Sequence, residues 1–244
     1  MTFSVVIPAR YAASRLPGKA LLDIAGKPMI QRTFEQAQAS AATAVYIATD
    51  DERIKTVAEG FGARVCMTST EHRSGTDRLQ EVAEQLQFDD EHIVVNVQAD
   101  EPLIPPAAIN QVADNLTTHA DAGIATLCEA IGSQAQIDDP NVVKVVIDNL
   151  GHALYFSRSA IPWQGSASAR NCFRHIGIYA YRVSTLNRFV QWPASALEIQ
   201  EKLEQLRALS NGVKVQVALC EQAIPPGVDT EHDLEAVRSL LAEA

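Results

Sequence analysis

Three cations stand close together near the start of the chain: Arg10, Arg15 and Lys19, within Ala9 to Lys19, eleven residues that hold no acid. Like charges this close repel one another, so the cluster signals an anion that it meets, and a polyphosphate suits it best. A solvated basic loop is the plain alternative. Two later places put acids where chemistry can use them. Asp100-Glu101-Pro102 follows the apolar run Ile93 to Val97, and Asp229 sits in the turn Pro225-Pro226-Gly227-Val228-Asp229-Thr230. Carboxylates fixed at a strand end or in a rigid turn are hard oxygen donors, suited to a divalent metal that faces phosphate. Asp100 also reads as a helix cap in a turn. A capping box with Asp233 accounts for Thr230 but not for Asp229.

Strands must hold these groups. Phe3 to Ile7 is a short β-branched run stopped by Pro8, and the basic loop follows it directly. That junction, just outside a strand's carboxyl end, is where open α/β sheets place ligands. Met29 to Ala39 then reads as a helix, Val45 to Ala48 as a strand, Glu52 to Glu59 as a helix and Arg64 to Met67 as a strand. This alternation predicts a parallel, doubly wound sheet. The first βα turn lacks G-x-G-x-x-G, which argues against a dinucleotide-dependent dehydrogenase.

The segment 71–78, EHRSGTDR, offers Ser74, Gly75 and Arg78 ahead of a helix that runs to about Leu86. It reads either as a ligand-binding helix start or as a turn capped by Thr76 or Asp77. Pro105 to Ala120 is a helix and Gly123 to Cys128 a strand, and Asn141 to Ile147 pairs with Ala153 to Phe156 as a hairpin. Lys144 interrupts the first hairpin strand. Phe173 to Tyr181 alternates so that His175, Gly177 and Tyr179 share a face. That face is a half-buried sheet surface or, with Arg158, a place for a carboxylate-bearing sugar. Leu197 to Leu209 predicts one continuous amphipathic helix with Ile199, Leu203, Leu206 and Leu209 on its apolar side, and Glu204 and Gln205 off it. Val213 to Leu219 is the last strand.

Composition narrows the options. At 244 residues, 47% apolar and 20% charged, the chain can bury the core of one domain, 1–244, or of one domain carrying an inserted lobe. Its net charge of −10 argues against nucleic acid as the main partner. No apolar run approaches the ~20 residues that span a bilayer, and no signal peptide is expected because the first residues enter a strand at once. Four cysteines lack metal-ligand spacing and read as buried thiols in a reducing cytoplasm.

The stretch IPARYAASRLPGKALLDIAGKPMI resembles the N-terminal signature of the sugar-nucleotide cytidylyltransferases, in particular those that activate the acidic sugar 3-deoxy-manno-octulosonate (Kdo). Further matches follow in family order: H-x-S-G-T-D-R at 72–78, Q-A-D-E-P at 98–102, N-x-V-K-V-V at 141–146, Y-F-S-R at 155–158 with H-x-G-I-Y at 175–179, E-K-L-E-Q-L-R at 201–207, and G-V-D-T at 227–230. They extend from Ile7 to Leu234. Ala99 stands where the family carries Gly, and strains the backbone if that position needs a positive φ.

The resemblance implies a Rossmann-like, mixed but mostly parallel α/β sheet of the nucleotide-diphospho-sugar transferase type, with a smaller sugar-binding and dimerisation lobe inserted at about 141–195. It implies CTP and Kdo as substrates, Mg²⁺ as cofactor and a homodimer built around Tyr155 and His175. CTP would be met by Ala9, Arg10, Arg15, Lys19, Ser74, Gly75, Arg78, Gln98 and Asp100, and Mg²⁺ by Asp100 and Asp229. The sugar would be met by Gln98, Arg158, His175, Tyr179, Glu204 and Gln205, and Lys144 matches a family position close to the active site. Arg15, Lys19, Asp100 and Asp229 would carry catalysis. A transferase for amino-Kdo or sialic acid shares the loop and the acids and differs only in the sugar pocket. A nucleotide-binding protein without turnover would be expected to lack one of those four residues, and all four are present.

Overall fold

The structure, a computed structural model, describes residues 2–12, 16–72, 74–163, 172–225 and 227–242. Strand β1 (Phe3–Ala9) opens the chain, followed by a 3₁₀ turn at Lys19–Leu21 and a small hairpin of β2 (Asp23–Ile24) and β3 (Lys27–Pro28). Then come α1 (Met29–Gln38), β4 (Ala44–Thr49), α2 (Glu52–Gly60), β5 (Arg64–Met67), α3 (Gly75–Gln85), β6 (Ile93–Asn96) and α4 (Pro106–Thr118). The middle of the chain holds β7 (Ile124–Ala130), α5 (Gln134–Asp138), β8 (Lys144–Ile147), β9 (Ala153–Ser157) and β10 (Phe173–Arg182). It closes with α6 (Val183–Phe189), α7 (Ala196–Glu201), α8 (Gln205–Ser210), β11 (Val215–Leu219) and α9 (Glu231–Ala242).

The main sheet runs β11-β7-β10-β6-β1-β4-β5, with β8 joined to β10 and β9 to β8. β1 is parallel to β4 and β6, β4 to β5, and β7 to β11, while β10 lies antiparallel between β6 and β7. The period of two along β1 and β6 builds both layers. Val5, Ile7 and Val95 pack with Phe34, Ile109 and Val112 on one face, and Val6 and Val94 pack with Leu79, Leu186 and Phe189 on the other. The sheet is therefore mixed and mostly parallel, as the resemblance implies, whereas the alternation of strands and helices alone predicts only its parallel part.

A third, smaller apolar cluster has the largest bearing on the site. Ile24 and Met29 pack against Val228, Leu234 and Val237, and Arg238 donates through Nε and a terminal nitrogen to the Asp23 carbonyl at 3.0 and 2.6 Å. The C-terminal helix is thereby clamped onto the β2–β3 hairpin, which brings Asp229 beside the loop that follows β1.

Several expectations need correction. The helix expected over 197–209 breaks at Lys202, which takes the left-handed conformation at φ 54° and separates α7 from α8. Leu203 and Leu206 are buried as expected, whereas Ile199 lies on the exposed α7. The N-cap of α3 is Ser74, not Thr76 or Asp77, and it forms a full capping box with Asp77. Lys144 does not reach a site. It is fully buried, and its ammonium donates to the carbonyls of Asp139, Val142 and Arg158 at 2.9, 2.6 and 2.6 Å. Ala99 lies outside the left-handed region, so its methyl group brings no backbone strain.

Candidate active site

The loop after β1 closes on itself: the Gly18 N–H donates to the Tyr11 carbonyl at 2.9 Å, and Lys19 follows at once. Gly18 has φ 69°, and a Cβ there would lie 3.1 Å from the Tyr11 ring, so the turn needs glycine on both counts. Arg53 stacks over the outer face of Tyr11, 3.3 Å from the ring centroid. Ala9, Arg10, Lys19, Ser74, Gly75, Arg78, Gln98 and Asp100 all line one cleft of ≈ 390 Å³, together with Asp229 and His72. Every nucleotide-site residue expected from the sequence is in this cleft except Arg15, which lies outside the described residues.

Not all of these groups are available to a ligand. Ser74 Oγ accepts from the Asp77 N–H at 3.2 Å, so its hydroxyl caps α3 while the helix start faces the cleft. Arg78 is buried and donates to Asp50 Oδ2 and Thr68 Oγ1, both at 2.6 Å, which ties α3 to the ends of β4 and β5. Arg10 is exposed at the cleft mouth.

Lys19 stands at the centre. Its Nζ donates to Asp100 Oδ2 at 2.6 Å and to Asp229 Oδ1 at 2.9 Å, joining residues far apart in the chain around one cation. Burial pulls the ammonium's pKa down, but the two carboxylates outweigh it and the net direction is up. Glu101 beside them is pushed up to about 8 by burial and then by the charges of Asp100 and Asp229. The raised value keeps Glu101 protonated near neutral pH, beside the two acids that share Lys19.

The two acid-bearing loops touch directly. The Val228 N–H donates to the Asp100 carbonyl at 2.8 Å, and a Cβ on Gly227 would fall 2.8 Å from Glu101 Oε1 and 3.1 Å from Asp100 O. Gly227→Ala must therefore turn the Glu101 carboxylate aside and press the Asp100 carbonyl back by a few tenths of an ångström. We expect turnover to fall severalfold while the melting temperature changes little, because a full ~1 Å at reacting groups costs about 10²-fold. Wild-type turnover in Gly227→Ala would show that the close approach is incidental.

Whether Mg²⁺ suits this place can be judged from the donors. Asp100 and Asp229 offer hard carboxylate oxygens that already converge on one cation, the Lys19 ammonium. Among the described residues no group of three or more His, Cys, Asp and Glu side chains is arranged to hold an ion alone. Mg²⁺ is commonly held in this manner, by one or two carboxylates with phosphate and water completing the octahedron. The residues fit it.

A second cavity of ≈ 270 Å³ opens on the other side of Gln98. The structure brings His175, Tyr179, Glu204 and Gln205 together on its wall with Gln98, and Asn96, Thr76 and Tyr181 are among its other lining residues. A β-bulge in β10 between Ile176 and Tyr179 shapes its wall. Thr126 fixes the bulge from β7: its hydroxyl donates to the Ile178 carbonyl at 2.7 Å and lies 3.0 Å from His175 Nε2. With that hydroxyl proton directed at the carbonyl, Nε2 is the protonated nitrogen of a neutral imidazole. Burial pushes the His175 pKa down to about 3, so the ring stays uncharged. The break at Lys202 turns Glu204 inward, where Oε2 accepts from Thr76 Oγ1 at 2.6 Å.

Arg158 lies outside this cavity. Its guanidinium donates to the carbonyls of Glu201 and Pro140 at 2.8 and 3.0 Å, and its own N–H donates to Glu201 Oε2 at 2.9 Å, so it ties β9 to the end of α7. A third space, of ≈ 350 Å³, shares Gln98, Asp100, Asp229 and His175 and adds Glu101, Asn141 and Arg174. Asn96, His72 and Arg174 are not assigned to a site from the sequence, whereas Glu101 reads there with Asp100 as acids at a strand end. Asn96 leaves a signal there too, as the one polar residue inside the apolar run IVVNV.

Comparison with known proteins agrees with this geometry. A cytidylyltransferase family profile matches residues 4–215. The 3-deoxy-manno-octulosonate cytidylyltransferase of Vibrio parahaemolyticus is 54% identical, covering 100% of this chain and 99% of its own, and that of Marinobacter nauticus is 56% identical, covering 99% and 97%. A solved CMP:2-keto-3-deoxy-manno-octonic acid synthetase complexed with CTP superposes with a TM-score of 0.93 at 44% identity, over 99% of this chain and 98% of that one. A cytidylyltransferase from Leptospira borgpetersenii, at TM-score 0.65, 15% identity and coverage of 100% and 87%, shares the fold. With two acids and a lysine meeting between two clefts, and with relatives this similar over their whole length, the chain belongs to the cytidylyltransferase family.

Proposed function

We propose that this protein transfers CMP from CTP to the anomeric hydroxyl of Kdo, releasing pyrophosphate and supplying CMP-Kdo for lipopolysaccharide synthesis. The observation that carries this reading is the Lys19–Asp100–Asp229 cluster at the junction of two clefts, one lined for a nucleotide and one for a polar, acidic sugar. Relatives more than half identical to the chain bear the name of that reaction.

In the reaction the sugar hydroxyl attacks the α-phosphorus in line, a new P–O bond forms, the bond to the β-phosphate oxygen breaks and the hydroxyl proton is released. Mg²⁺ held by Asp100 and Asp229 would neutralise phosphate charge and lower the pKa of the attacking hydroxyl. The ammonium of Lys19 reaches the nucleotide cleft while remaining beside both acids, so it can meet phosphate oxygens without leaving them. Arg10 adds charge at the cleft mouth, the start of α3 turns its N–H groups toward the cleft, and Arg15 is assigned the charge developing on the leaving group. Gln98 lines both clefts and sets the two reactants against each other. Positioning of this kind is worth up to ~7–11 kcal/mol, and no covalent enzyme intermediate is required.

Exposed Leu150 and Leu154 on the β8–β9 hairpin support a homodimer formed through that lobe. The unbonded thiols of Cys66, Cys128 and Cys220 support a reducing cytoplasm. No helix among the described residues is long and apolar enough to cross a membrane.

The test is pyrophosphate release from CTP with Kdo, amino-Kdo and sialic acid in parallel, with Mg²⁺ and with EDTA. Release with Kdo that EDTA abolishes is expected. Release with another acidic sugar only would move the error to the pocket around His175 and Glu204. Undiminished release in EDTA would remove the metal from the reaction.

A further inference from the structure

Asn96 ends β6 at the centre of the sheet, directly opposite Tyr179 of β10 and Val6 of β1. Its residue is 7% exposed, its Oδ1 is sealed from solvent, and neither atom of the amide makes a hydrogen bond to a described residue. A buried amide with no partner is rare, because it loses its water and gains nothing in exchange. Glu204 Oε1, on the wall of the same cavity, is also buried and without a hydrogen bond; the nearest cation, Arg207, lies 3.8 Å away. Both residues line one cavity with aromatic rings on its wall, their two sealed oxygens lying behind that wall, while the Asn96 NH₂, also without a hydrogen bond, is not sealed.

An apolar ligand would leave the Asn96 NH₂ unmet, and an anionic group would repel Glu204. A compound with several hydroxyl groups supplies oxygens to which the Asn96 NH₂ can donate. We propose that Asn96 is a specificity-determining residue of the sugar site, holding hydroxyl groups of the acceptor together with Glu204. This rests on the transfer to an acidic sugar proposed above, and it adds a ligand-binding role to a residue in the interior of the sheet.

Asn96→Val and Asn96→Thr test it. The two replacements have nearly the same shape and both suit a strand, so their difference isolates one hydroxyl. With an unpartnered amide removed, Asn96→Val should melt above wild type while its KM for Kdo rises about ten- to hundredfold, as expected for a lost buried hydrogen bond. Its KM for CTP should stay within about twofold. Asn96→Thr should recover part of the sugar KM. An unchanged KM for Kdo in Asn96→Val, or a melting temperature below wild type, would overturn the assignment, since either means that the amide serves the fold or a trapped water. Should the wild type itself release no pyrophosphate with Kdo, the proposed reaction fails separately. The order of the melting temperatures then decides on Asn96: Val above wild type keeps it as a residue reserved for a ligand, and Val below rejects it.

Discussion

Asp100→Asn should lower kcat by about 10³-fold or more while leaving the protein at least as stable as wild type. The substitution keeps shape and removes one charge. Losing a single preorganised electrostatic group at a reacting centre costs about 10²–10³-fold, and Asp100 has two such duties: it faces the nucleotide cleft and shares Lys19 with Asp229. Stability moves the other way because Asp100, Glu101 and Asp229 crowd together, and burial with its neighbours' charges already raises Glu101 to about 8. Removing one carboxylate relieves that repulsion, and Lys19 keeps Asp229 as partner. Asp229→Asn should behave alike. The double variant should lose little beyond either single one, because groups that act as a unit are not additive. Pyrophosphate release and thermal melts on the same preparations read both effects. Asp100→Asn retaining a tenth of wild-type activity would rule out the assigned role.

Lys144→Met should produce the opposite split, with a large loss of stability and near-normal substrate KM values in whatever remains folded. The ammonium has three N–H donors and spends all three on the carbonyls of Asp139, Val142 and Arg158. The burial that seals them also pulls the Lys144 pKa down. Methionine fills the same space but leaves three carbonyls short of a donor. Orphaned buried groups cost ~1–3 kcal/mol each, partly offset here because the Asp139 carbonyl also accepts from the Val142 N–H. The net expectation is about 3 kcal/mol, read as a shift of the urea midpoint at constant m-value. A loss below ~1 kcal/mol would mean that water replaces the ammonium.

These two lysines show where the sequence is legible and where it is not. Both lie in segments that match the family, and only the fold separates them: Lys19 opens onto a cleft, while Lys144 is sealed among the carbonyls of Asp139, Val142 and Arg158. Strand and helix positions follow from period and punctuation, so Phe3–Ala9, Arg64–Met67 and Met29–Gln38 fall close to where apolar spacing puts them. The helix break at Lys202 is different. No glycine or proline marks it, and the left-handed turn persists because the fold over-determines it. Leu203 and Leu206 must enter the core, and Arg207 must pair with Glu198 across the break, with Nε at 2.9 Å. The second cavity owes its shape to the bulge in β10 and to Thr126 across from it, partners separated by about fifty residues. Arg158 illustrates the remaining limit, since residue type reveals a cation but not that the end of a helix has already claimed it.

The clamp of α9 onto the β2–β3 hairpin has a consequence for synthesis on the ribosome. Every strand of the main sheet is complete by Leu219, before the segment that carries Asp229. A nascent chain emerges at ~5–20 residues per second and its N-terminal parts fold first. The sheet can therefore assemble around a centre that still lacks its second acid. A product cut short by even its last twenty residues would keep the two clusters on the faces of the main sheet but lose the third, and on the proposed mechanism it would stay inert, since Asp229 would be missing and the hairpin would have nothing to grip.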